Sequence, residues 1–402
     1  MFTPMNHQII AASQALSILK KLGYVYIYGQ PRSGKTLISI LMAEECNVQN
    51  VMILTKKNAI PGWQKFISND LKHNYTIINY EQLGKIENKK VIVNYDRNNY
   101  QLCIIDESHN YSAFPKPSQR YLVLRSFCIN MPHIHLSGTP VIESPCGIYH
   151  QMNISKYSPF KDFTNFYRFH DKWGIKSITY IRGQPITQYK DYKPELLDYI
   201  ENFMVYMSQE DAGITDKAQD KVHYVTLCSQ AKELYNIWLN DKVIRIAGIE
   251  YPLDTPMKLR LALHQLEGGT IKINNQGYEL FTDKVAYIKK EFGDSSDMGI
   301  MSHFVAEQQM LKKHFKYANI YSSNAHAEGI DLSYLKHFII YSSDYSGARF
   351  VQRRDRIINI NGSNTTTVHH ILVKNAISEQ VYNVVSNKLD FNNSTFRSIE
   401  LD

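Results

Sequence analysis

Gly29-Gln30-Pro31-Arg32-Ser33-Gly34-Lys35-Thr36 is the stretch that decides the fold. It fits the pattern GxxxxGK followed by Ser or Thr at every fixed position. The apolar run Tyr24–Tyr28 precedes it and an amphipathic stretch, Leu37–Glu45, follows. A strand, a glycine-rich turn and a helix in that order turn backbone N–H groups inward on phosphates. The same arrangement points a helix N-terminus at their negative charge. Lys35 is expected to reach the β- and γ-phosphates, and the Thr36 hydroxyl to bind Mg2+.

Downstream, Asp106-Glu107-Ser108-His109 follows the apolar run Leu102–Ile105. In a parallel sheet, side chains at the carboxyl end of a strand project into the ligand crevice. Asp106 is therefore placed to hold Mg2+ through water, and Glu107 to take a proton from an attacking water. An acidic pair alone would read as a solvated loop. A phosphate loop upstream turns the reading toward catalysis.

Val51–Leu54 and Ile134–Leu136 read as further buried strands, with helical patterns between several of them, which predicts a parallel sheet covered on both faces. From about residue 155 to 213 the texture turns aromatic and charged (FKDFTNFYRFHDKWG), and the reading is a mainly helical insertion. Alternation resumes with strand candidates at Met298–Met301, Asn319–Tyr321, Phe338–Tyr341 and Val368–Val373. Helices are expected at Val285–Phe292, Ala306–His314, Gly347–Arg356 and Glu379–Asn387. The expected organisation is a first lobe over 1–154, the insertion over 155–215 and a second lobe over 216–402.

Lys and Arg outnumber Asp and Glu by 45 to 38, a net +7. That balance suits a phosphate-rich partner without requiring one. The five cysteines are scattered, with no CxxC pair and no metal-ligand spacing, so reduced thiols in a reducing compartment are expected. No apolar run approaches the roughly 18 residues that cross a bilayer, and the start MFTPMNHQ lacks signal-peptide features. A soluble, cytoplasmic protein is the expectation.

With Ser137-Gly138-Thr139-Pro140 after a strand, the phosphate loop and the DExH tetrad resemble motifs I, II and III of superfamily 2 helicases, most closely the Swi/Snf-like branch. His7-Gln8 resembles that branch's glutamine motif, ILTKKNAIPGWQKFI its motif Ia, and Asn79–Leu83 its "SYe.l" segment. Val225–Gln230 with Leu234-Tyr235 is similar to its entry into lobe two. Ala327–Leu332 resembles motif V, and Gln352-Arg353-Arg354-Asp355-Arg356 resembles motif VI. The insertion is most similar to that of the annealing-helicase subgroup. The compact size resembles versions carried by bacteriophages, which implies a host cytoplasm. Asn359 stands where motif VI normally has a second arginine, and Tyr345-Ser346-Gly347 replaces the tryptophan-asparagine-proline before it.

The resemblance implies an α/β protein of two RecA-like parallel-sheet lobes in tandem, using ATP and Mg2+. Gln8, the octet Gly29–Thr36 and Gly329 would bind nucleotide, while Thr36 and Asp106 would hold the metal. Lys35, Glu107, Gln352 and Arg356 would carry catalysis, with Arg356 neutralising charge on the γ-phosphate. His109, Ser137 and Thr139 would relay nucleotide state, and Thr55, Lys56 and Lys57 would touch the nucleic-acid backbone. Such contacts carry no sequence information and are salt-sensitive. The expected activity is a double-stranded-DNA translocase that remodels or branch-migrates DNA, with no membrane and no oligomer required. A strand-separating DNA or RNA helicase, and a weakly active ATP-binding scaffold, are the alternatives.

Overall fold

The computed structural model describes residues 3–30, 32–67, 70–138, 144–181, 184–213, 219–246, 248–323, 332, 334–347, 350 and 367–387. The chain divides into two units, Met1–Thr215 and Asp216–Asp402, and each is built on its own parallel sheet.

In the first unit, α1 (Asn6–Leu22) ends at Gly23, whose left-handed φ of 71° lets its N–H bond the Leu19 carbonyl at 2.7 Å. Then come β1 (Tyr24–Gly29), α2 (Lys35–Glu44), β2 (Asn50–Thr55), α3 (Ile60–Gln64), β3 (Asn74–Asn79) and α4 (Tyr80–Leu83). A small hairpin, β4 (Gly84–Glu87) and β5 (Lys90–Val93), leads to β6 (Leu102–Ile105), α5 (Gln119–Cys128), β7 (His133–Ser137) and α6 (Ile148–Met152). The unit closes with α7 (Phe166–Trp173), β8 (Gly174–Ile181), β9 (Gln184–Tyr192), α8 (Glu195–Glu201) and β10 (Met204–Met207).

Six strands form the main sheet in the order β10-β1-β7-β6-β2-β3, every pairing parallel. Alternate residues of the strands serve two cores. Val25, Ile27, Val51, Ile53 and Ile104 pack against α1 and α2, while Met52, Leu54, Cys103 and Ile105 pack against Tyr80 and α5. Burial on both faces is why these strands read as unbroken apolar runs.

The stretch expected to be a mainly helical insertion is different. Its described residues hold two short helices, but β8 and β9 pair as an antiparallel ribbon and β10 adds an edge strand to the main sheet. The aromatic, charged run before Gly174 does make a helix, α7. Beyond it, Ile175-Lys176-Ser177-Ile178-Thr179-Tyr180 is rich in β-branched and aromatic residues, which fit an extended ribbon. In β10, Val205 and Met207 turn into the core beside α1.

The second unit comprises β11 (Gln219–Tyr224), α9 (Ser229–Asp241), the hairpin β12 (Val243–Ile246) and β13 (Ile249–Pro252), and α10 (Pro256–Glu267). A second hairpin, β14 (Thr270–Ile273) and β15 (Gln276–Glu279), precedes α11 (Asp283–Phe292), β16 (Met298–Ser302), α12 (Val305–His314) and β17 (Asn319–Ser322). β18 (His337–Ile340), β19 (Thr367–Leu372) and α13 (Ile377–Val385) complete it. The sheet order is β11-β19-β18-β16-β17, again all parallel. No described helix is long and apolar enough to cross a membrane.

The second unit buries charge. Glu267, Lys284 and Glu307 are each 1% exposed or less. Burial pushes the Glu307 carboxyl up to about 7, with the Ser342 hydroxyl bond and Lys284 opposing it. Burial likewise pulls the Lys284 ammonium down. An acid whose folded value is raised favours folding while protonated, so that contribution is complete below its unfolded value of about 4.5. It is lost as pH rises through about 7. Glu307→Gln keeps the shape without the charge. Its stability relative to wild type should rise between pH 5 and 8, by on the order of 3 kcal/mol. Parallel denaturant titrations at several pH values would check this, and a constant difference would refute it.

Candidate nucleotide site

The phosphate loop begins where β1 ends. A Cβ on Gly29 would lie 2.8 Å from the Met207 carbonyl oxygen and from Ser33 Oγ, so no side chain fits there. Gly34 takes a left-handed φ of 87° as the N-cap of α2, and a Cβ there would collide with the Gln8 amide. Both invariant glycines of the pattern thus answer a steric demand. Arg32 also takes a left-handed φ, 68°. Gly34 gives α2 no side-chain cap, and a helix N-terminus without one is suited to a phosphate.

Lys35 Nζ donates to the Gly29 and Gln30 carbonyls at 2.7 and 3.1 Å. Its ammonium is thereby held over the loop. Thr36 is half-buried in the first turn of α2. Gln30 accepts from the Gln209 N–H at 2.7 Å and donates its own N–H to Met207. That contact ties the loop to the edge strand β10. From α1, Gln8 is buried against Gly34 with its Oε1 bonded to the Met5 N–H, and His7 Nε2 lies 3.4 Å from the Ser33 carbonyl.

The acidic tetrad sits at the carboxyl end of β6. Asp106 Oδ2 accepts from Thr55 Oγ1 at 2.7 Å and from Trp63 Nε1 at 2.9 Å, and Oδ1 accepts from the Glu107 N–H. Those bonds fix the carboxylate plane, yet Oδ1 keeps a lone pair for a metal-bound water. Glu107 adopts a left-handed φ of 45°, rare for glutamate and costing about 1 kcal/mol or more. The strain is held by Asn110, whose N–H and Nδ2 both donate to the Glu107 carbonyl. The kink swings the Glu107 side chain off the strand direction, with Oε2 3.3 Å from His109 Nδ1.

Three segments meet here. His109 Nδ1 lies 2.9 Å from Ser137 Oγ. Ser137 pairs in register with Tyr28 of β1, and Gly138 sits against the Gly29 carbonyl. The phosphate loop, the acidic tetrad and the end of β7 are thus contiguous within one unit. No protein-family model and no curated protein matches the chain. Its chemistry has to be read from these residues.

ATP with Mg2+ fits what is present. Two glycine positions admit only backbone, a lysine ammonium and uncapped helix N–H groups supply positive potential, and Thr36 and Asp106 offer hard oxygen donors. Of the expected surface contacts, Lys57 is exposed and Lys56 half-buried. Thr55 departs from that expectation, because it is fully buried and its hydroxyl serves Asp106. Pro31, Thr139, Gly329, Gln352 and Arg356 lie outside the described residues.

Trp63 was legible only as a motif Ia tryptophan, and nothing in the sequence says its indole bonds the acidic residue. Tyr26 was equally hidden. Its hydroxyl accepts from Ser108 Oγ at 2.8 Å and donates to Gln151 at 2.9 Å, bracing the tetrad from behind. A tyrosine in the middle of a buried strand was the available signal, since such a hydroxyl needs partners.

Proposed function

We propose that the chain is an ATP-hydrolysing nucleic-acid motor of two RecA-like lobes, acting as a double-stranded-DNA translocase that remodels or branch-migrates DNA. The contact of Glu107, His109 and Ser137 beside the phosphate loop carries this reading. It joins a general base to a side chain at the end of the neighbouring strand, the kind of link a motor needs between hydrolysis and movement. Lys35 would hold the β- and γ-phosphates, Thr36 and Asp106 the metal, and Glu107 would take the proton of the attacking water. Arg356 would supply the cation from the second lobe, so that closure depends on the γ-phosphate. The order of motifs along the chain supports duplex tracking over a kinase or a plain nucleotide-binding module.

ATP turnover measured alone and with linear duplex DNA, single-stranded DNA or RNA tests it. Duplex should stimulate about tenfold or more, and the stimulation should fall steeply as salt rises. A preference for RNA would replace the DNA reading. Turnover unmoved by any nucleic acid would leave the scaffold as the better account.

A further inference from the structure

We infer that the β8–β9 ribbon is a wedge that enters a DNA junction and stacks Ile178 and Tyr180 against bases where the duplex opens. This rests on the nucleic-acid reading above and adds a contact that the helicase motifs do not supply. Ile178 pairs with Thr187 and Tyr180 with Pro185, which places the two side chains on one face of the ribbon. They are 62% and 70% exposed, and on the other face Ile186 is 42% exposed. A two-stranded ribbon has no core of its own. One that shows large apolar side chains to water on both faces is built to meet something.

The charge around it selects nucleic acid. Residues 160–193 carry seven Lys or Arg against three Asp. A two-stranded ribbon fits a DNA groove, apolar side chains part base steps, and an aromatic ring stacks on any base without regard to sequence. Acidic protein partners would match the lysines but leave the exposed isoleucines and Tyr180 without a use.

The ribbon is also fastened to the nucleotide machinery. Ser144 Oγ donates to the Lys190 carbonyl and Cys146 Sγ to that of Asp191 at 3.6 Å, so the base of β9 is clipped to residues 144–147. Gly147 in that stretch packs so tightly on Ser112 that a Cβ would collide with its hydroxyl. Ser112 caps the short helical turn that holds His109. A shift at His109 therefore has a short route, through Ser112 and Gly147, to the base of the wedge.

The probe is a forked DNA with 2-aminopurine at the junction, titrated with the full chain without nucleotide, beside linear duplex in the ATPase assay. Wild type should raise the fluorescence by unstacking the probe. Ile178→Ser with Tyr180→Ser should bind the fork about tenfold more weakly, give no rise, and keep linear-duplex-stimulated turnover within about twofold. Tyr180→Trp should retain the signal. A wild-type chain that leaves the probe stacked overturns the wedge, as does a double variant equal to wild type on the fork or equally impaired on linear duplex. If no nucleic acid stimulates ATP turnover in wild type, the motor reading falls by itself. The nucleotide-free titration then still decides the wedge.

Discussion

Glu107→Gln should cut steady-state ATP turnover by about a thousandfold while leaving nucleotide binding nearly unchanged. The substitution keeps the volume and one oxygen of the side chain but removes its basicity, and proton transfer by a positioned base is worth roughly 10²–10⁴ in rate. The backbone should hold, because the left-handed turn at residue 107 is fixed through that residue's own N–H and carbonyl and not through its side chain. Its N–H donates to Asp106, and its carbonyl accepts twice from Asn110. Lys35→Ala makes the contrast. It removes the ammonium that bonds the Gly29 and Gln30 carbonyls, so binding and turnover should fall together. Phosphate release and fluorescent-nucleotide titration, run on both variants, separate these patterns. A Glu107→Gln chain retaining more than a tenth of wild-type turnover would remove Glu107 from the role of base.

The parts of this site written in the sequence are those whose chemistry depends on close spacing. Gly29, Gly34, Lys35 and Thr36 follow one another on a single turn, so their pattern states their geometry, and the structure sets each glycine where a Cβ would collide. The strand before Asp106 was legible for a similar reason, since burial on both faces leaves an unbroken apolar run. What could not be read depends on which strands lie side by side. Thr55 is expected to touch a nucleic-acid backbone because it lies in the segment that resembles motif Ia. Only the pairing of β2 with β6 shows its hydroxyl directed at Asp106. The ribbon is hidden because α7, directly before it, has the aromatic and charged texture of a helix, and a similar texture runs on into β8 and β9. Sheet order and loop packing are long-range facts. Local propensity holds no record of them.

The same limit applies to Glu267, which ends α10 and would pass for a solvated helix terminus. Instead it is 1% exposed, and burial pushes its carboxyl up despite three donors. Oε1 accepts from Tyr235 OH at 3.0 Å and from the Ile377 N–H at 2.7 Å, and Oε2 from the Ser378 N–H at 3.0 Å. It therefore caps α13, whose own N-cap, Ala376, has no side chain able to do so. Glu267→Ala would orphan a buried hydroxyl and two helix N–H groups and take a nearby negative charge from buried Lys284, a loss of about 3–5 kcal/mol. Thermal unfolding of the variant should show a transition lowered by roughly 10 °C. Glu267→Gln, which retains an acceptor oxygen, should fall between the two. Because Lys35, Thr36, Asp106 and Glu107 all belong to the other unit, added nucleotide should still stabilise a separate transition in the Ala variant. An Ala variant melting within about 2 °C of wild type would mean that the cap contributes little and that water takes its place.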